Sequence, residues 1–150
     1  MTFNIKKLAI AATGTMPVRD ATGEAQFDEQ GNALSITFHS PGTKKHQAAK
    51  HAAEERNNTR VFGRMQGKSE AKQSADDKLQ ERATFLSAIT VSFNNFGNDE
   101  LSGHQLFMKT YSDLELGHIT DDAEKFNGDR GNFKKSSETS SPSSSVMLPG

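Results

Sequence analysis

The hydrophobic period of this chain changes at Ser40-Pro41-Gly42, and that change limits the folds open to it. Before it, Leu34, Ile36 and Phe38 alternate with Ser35, Thr37 and His39, the period of a strand with one wet face. After it, Leu79, Ala83, Leu86, Ile89 and Phe93 step by 4, 3, 3 and 4, the spacing of one helix face. The expected fold class is therefore α+β, a small N-terminal antiparallel β-meander followed by a helical bundle. At 150 residues one folded domain is expected, with residues 1–40 mainly β and 41–133 mainly α.

Within the β part, Phe3 and Ile5 suggest a first strand and Val18 a second, with turn chemistry at Asp20 to Gly23 and Asp28 to Asn32. Ser40 can cap the first helix, with Pro41 at its first position. That helix is expected from Thr43 to about Arg60. It has no large apolar residue, so it either packs through alanines or is only partly ordered. Gly63 and Gly67 predict a break, leaving 61–68 as a loop. The principal helix is expected from Ser69 to about Phe96, with Phe85, Ala88 and Phe96 widening its face. A shorter helix follows over 103–114, with Leu106, Phe107, Thr110, Tyr111 and Leu114 inward. Thr120 is expected to cap a last one, Asp121 to Asn127. Phe126 and Phe133 close the core. Beyond Phe133 the composition changes: seven of the ten residues 136–145 are serine. Such a tract buries too little to offset its ordering entropy, so 134–150 is expected to be a disordered tail.

The chemistry the chain can carry is narrow. It has no cysteine, which removes disulfides, thiolate catalysis and Cys-containing zinc sites. Gly63 to Ser69 approximates a phosphate loop but has three residues between its glycines where four are needed. His46 and His51 lie about 140° apart on a helix, and no metal-binding spacing joins the five histidines. Asn127 to Asn132 resembles a calcium loop without the later glutamate. The acidic pairs Asp76-Asp77, Asp99-Glu100 and Asp121-Asp122 are sequence neighbours, which diverge on a helix instead of forming an acid/base dyad. No catalytic residue, cofactor or metal is expected, and the chain is read as a binding protein. Nucleic acid is not favoured either. Lys44, Lys45, Lys50, Arg56, Arg60, Arg64, Lys68 and Lys72 are scattered around their helix, and the net charge is −1.

The charge is unevenly placed. Residues 43–82 carry ten Lys/Arg against six Asp/Glu, and residues 83–129 carry two against eight. Either these faces compensate within one molecule, or they draw copies together head to tail. The first apolar run, Leu8 to Ala12, falls short of the roughly 7–15 residues of a signal and the roughly 20 of a membrane span. A cytoplasmic location without membrane attachment is the expectation.

The order of features adds one more inference. Met16-Pro17-Val18-Arg19-Asp20 through Gly23 precedes the Leu34–Phe38 strand and the Ser40-Pro41-Gly42-Thr43 joint. A polar alanine-rich helix, the Phe85–Phe96 helix, Leu106 to Leu114 and the closing Asp129-Arg130-Gly131-Asn132-Phe133 follow. Over residues 1–133 this architecture resembles the tail assembly chaperones of long-tailed, siphovirus-type bacteriophages. Where that family's helix often carries a tryptophan, this chain has Phe93 or Phe96. The resemblance implies a small protein of the host cell cytoplasm that multimerises and coats the tape measure protein. It also implies help in recruiting tail tube protein and absence from the finished virion. In many such chaperones a fraction of translation shifts frame near the C-terminus. Phe133-Lys134-Lys135 suits such a junction, because those codons are compatible with a slippery run. Partner contacts are expected at Phe85, Phe96 and Tyr111. The competing readings are a structural tail or head–tail joining protein, and a nucleic-acid-binding regulator.

Overall fold

The computed structural model describes residues 2–67 and 74–135. The serine-rich stretch from 136 and the expected helix start at Ser69 lie outside the described residues. The fold is α+β: strands β1 (Thr13–Pro17) and β2 (Ser35–His39), helices α1 (Lys44–Met65) and α2 (Ala75–Ile89), strand β3 (Thr90–Asn94), and helices α3 (Gly103–Tyr111) and α4 (Gly117–Asn127).

The strands form one antiparallel sheet in the order β1-β2-β3. Met16 pairs with Ile36 and Ile36 with Phe93, so alternate residues share the face that meets the helices. On that face Met16, Ile36 and Phe38 are buried. Phe3 and Ile5 belong to no strand. Ile5–Leu8 forms a 3-10 turn capped by Asn4, and Phe3, Ile5 and Leu8 are all exposed. Val18 lies one residue past β1, still buried, and its N–H donates to Leu34. Between β1 and β2 the turn chemistry operates twice. The Asp20 carboxylate accepts from the N–H of Thr22 and Glu24, and Asp28 does the same for Gln30 and Asn32. Gly23 and Gly31 then take φ of 93° and 85°, which glycine adopts without Cβ strain.

The cap of α1 is Thr43, not Ser40: the Thr43 hydroxyl accepts from His46 N–H at 3.2 Å. Ser40 is fully buried and its hydroxyl accepts from Gly42 N–H, holding the strand-to-helix joint. Helix α1 runs to Met65, through the predicted break at Gly63. Its less exposed stripe of His46, Ala49, Ala53, Arg56, Arg60 and Gly63, spaced by threes and fours, continues through that glycine. Alanine permits close approach to α2 there, and Arg56 grips Glu81 with two nitrogens, Nε at 2.7 Å from one carboxylate oxygen. Ser74 and Asp77 start α2 as a reciprocal capping box.

The largest departure from expectation is the end of α2. It stops at Ile89, and Thr90 continues directly into β3. Phe93 and Phe96 therefore do not extend the helix face. The β-branched run Ile89-Thr90-Val91 favours extension, and the free edge of β2 supplies partners for its backbone. Phe93 still reaches the core, stacked on Phe96 with ring centroids 4.6 Å apart and tilted against Phe107 at 4.7 Å. Ala88, expected inward, is exposed, and Ser87 is buried in its place.

Helix α3 ends at Tyr111. Leu114, expected inward, begins a 3-10 turn and is 80% exposed. Thr120 does not cap α4 but is buried inside it. Tyr111 is fully buried, and its hydroxyl pairs with that of Thr90 at 2.8 Å. Burial holds its ionisation well above the usual tyrosine range. Replacing Tyr111 with phenylalanine should cost about 1 kcal/mol, measured by urea denaturation, since Thr90 keeps its bond to the Leu86 carbonyl.

Candidate partner-binding grooves

Of the three residues expected to touch a partner, only two are accessible. Tyr111 is sealed in the core and cannot contact another chain without unfolding. Phe96 is half-buried on Phe93 and lines a groove of about 280 Å³ with Leu34, Leu106, Leu116 and Ile119. Phe85 is half-buried on α2 and stands between two concavities. One, of about 400 Å³, lies where α1, α2 and α4 meet. The other, of about 410 Å³, is a shallower basin bounded by Ala53, Lys78, Glu81 and Arg82.

Helix spacing explains the position of Phe85. Ala83 and Leu86 face the core with Ile89, and Phe85 sits about 100° around the axis from Leu86, at the core's edge. His46 of α1 meets it edge-on, ring centroids 5.7 Å apart at 89°. On the far side, Arg82 ties α2 to α4 through Asp121 and Glu124. The walls are thus held by packing and by ion pairs, and the phenyl ring is left between them.

The first concavity is polar at its rim. Lys50 reaches it from α1 and Arg130 from the turn after α4, with Asn127 between. His46 is 8% exposed, and its Nδ1 has no hydrogen-bond partner. Burial, with help from Lys50 and Arg130, holds its pKa below the ordinary value of 6.5. His39 shifts the same way, from burial and Lys45. A histidine kept neutral by the fold favours the unfolded state when protons are plentiful. Stability should be full above about pH 6.5 and fall as the pH drops toward 5. Melting temperatures should show that slope reduced in His46→Gln.

Comparison of the chain with protein-family models, with curated proteins and with solved structures finds no match in any of the three. The site must be read from its own chemistry. Among the described residues, no cluster of three or more His, Asp or Glu side chains could hold a metal ion. The calcium-like segment is a turn: the Asp129 carboxylate accepts from Gly131 N–H at 2.8 Å, and Asn132 donates to the Phe126 carbonyl. Together they deliver Phe133 into the core. Of the basic run, Arg56 and Arg60 turn inward to Glu81, so these two do not join an outward cationic face.

Sequence reasoning missed His46, whose neighbours on α1 are polar and alanine. It also missed Phe62 and Met65, 61% and 79% exposed on the last turn of α1. The 3, 4 spacing of the stripe from His46 to Gly63 was the available signal. No described helix is long and apolar enough to cross a membrane.

Proposed function

We propose that this chain is a non-catalytic phage tail assembly chaperone, which coats the tape measure protein in the host cytoplasm and does not enter the virion. The observation that carries the reading is Phe85: a large apolar ring left between two open concavities on a braced helical wall. Such a wall suits the side chains of another polypeptide. Exposed Phe3, Ile5, Leu8, Phe62 and Met65 supply further apolar surface for self-association. Recruitment of tail tube protein belongs to the same reading, through a frameshifted extension. Phe133 supports a junction at Phe133-Lys134-Lys135, because it is fully buried while Lys134, just after it, is exposed. An extension there would leave the core whole. The gene sequence checks that part, since codons lacking a slippery run would remove it.

The test is coexpression with the tape measure protein, paired with mass spectrometry of purified particles. The chaperone reading expects the tape measure to stay soluble only with this chain, and expects the chain to be missing from particles. Stoichiometric presence in particles favours a structural tail protein instead. Binding to DNA that weakens steeply with salt favours a regulator.

A further inference from the structure

The concavity between α1, α2 and α4 holds positive charge that nothing in the described chain answers. Lys50 and Arg130 line it, and neither forms an ion pair among the described residues. The one carboxylate in the lining, Glu124, forms an ion pair with Arg82, Nε to Oε1 at 3.5 Å, without a hydrogen bond. The cations are therefore available to an anion from outside.

Two buried polar atoms stand behind this lining. His46 and Asn127 both line the concavity, and His46 Nδ1 and Asn127 Oδ1 lack hydrogen-bond partners. The Asn127 amide is oriented by its own chemistry, because Nδ2 donates to the Ala123 carbonyl at 2.8 Å and leaves Oδ1 as a pure acceptor. Both atoms are sealed behind the lining, so what a ligand meets is the surface presented by Lys50, Arg130, Phe85 and Pro41. The ligand must bring an anion to Lys50 and Arg130. It must also bring an apolar body to Phe85, Leu86 and Pro41. A peptide segment has both: a carboxylate side chain and a neighbouring apolar side chain. At about 400 Å³ the space falls near the lower end of ligand sites, enough for a short anchor.

We propose that this concavity anchors a short acidic–apolar stretch of a partner polypeptide, with an Asp or Glu carboxylate between Lys50 and Arg130 and the adjoining large apolar side chain against Phe85. The inference rests on the polypeptide-binding reading above and adds the chemistry of the segment bound.

The probe is a blocked, fluorescein-labelled hexapeptide, Ala-Ala-Glu-Phe-Ala-Ala, followed by fluorescence anisotropy against the full chain. Saturable binding is expected, weakened at least about tenfold when the peptide's Glu becomes Gln or its Phe becomes Ala. The Lys50→Glu/Arg130→Glu variant should lose the Glu peptide and gain preference for a Lys-Phe peptide. Both residues are exposed, so the fold is kept. Charge-swapped rescue is a result that a general loss of structure cannot give. Unlabelled N-acetylphenylalanine, a free carboxylate on an aromatic body, should compete poorly. Competition equal to the peptide's would overturn the polypeptide assignment. If the tape measure protein binds in a Phe85-dependent way but ignores reversal of Lys50 and Arg130, the anchoring proposal fails and the chaperone reading stands. If it does not bind at all, both fail.

Discussion

Replacing Phe133 with alanine is expected to destabilise the fold by about 3–5 kcal/mol, a large fraction of a small domain's stability. Phe133 is fully buried. Its ring meets Phe126 edge-on at 5.3 Å, and Phe126 in turn lies 5.8 Å from Phe38 of the sheet. Its carbonyl accepts from Ala11 N–H at 2.6 Å, which ties the start of the chain to the end of the fold. The neighbouring strand leaves no slack. A Cβ placed on Gly14 would stand 2.6 Å from the Phe133 ring and 2.9 Å from the Asn132 carbonyl oxygen. Gly14→Ala should therefore cost about 1–3 kcal/mol by overpacking, and combining it with Phe133→Ala should cost less than the sum. Urea midpoints of the two single variants and the double variant measure this. Independent, additive losses would show that the ring does not fill the space beside Gly14.

Phe85→Asp is expected to abolish co-purification of the tape measure protein while leaving the helical circular dichroism unchanged. The ring is only half-buried, so its removal from the fold is expected to cost about 1 kcal/mol. In a complex it would be fully enclosed, and a carboxylate there would be desolvated against a partner's apolar side chain, near Glu124. Phe96→Asp should have a smaller effect on binding and a larger one on stability, because Phe96 stacks on Phe93 in the core. Loss of secondary structure in Phe85→Asp would place that ring among the core residues.

The α+β class was legible because two periods were legible. Leu34, Ile36 and Phe38 alternate strictly, and Ala83, Leu86 and Ile89 lie on one buried face. The same spacing misled at Phe93. It stands four residues after Ile89, so helical periodicity carried the reading across a point where the chain had become a strand. Only the β-branched Ile89-Thr90-Val91 run marked the change locally, and its decisive partner, the edge of β2, lies more than fifty residues away in sequence. The length of α1 was underread for a related reason. Gly63 is unfavourable inside a helix in isolation, but it falls in register with the half-buried stripe of α1, which runs on to Met65. Of the candidate site, Phe85 was legible as an apolar residue at the margin of a helix face. Tyr111 looked equivalent, and only the position of Thr90 shows that its hydroxyl is satisfied inside. His46 was not legible, because a buried histidine on a polar helix depends on Phe85 and Arg130 arriving from elsewhere.

Hydrogen exchange of the full chain, alone and bound to the tape measure protein, tests the central claim most directly. Binding through the Phe85 wall predicts slowed exchange in the first half of α1, around residues 82–88 of α2, and from Glu124 to Arg130. The β1–β2 loops should be left unchanged. Protection confined to those loops or to α3, with the Phe85 segment exchanging at its free rate, would contradict the account.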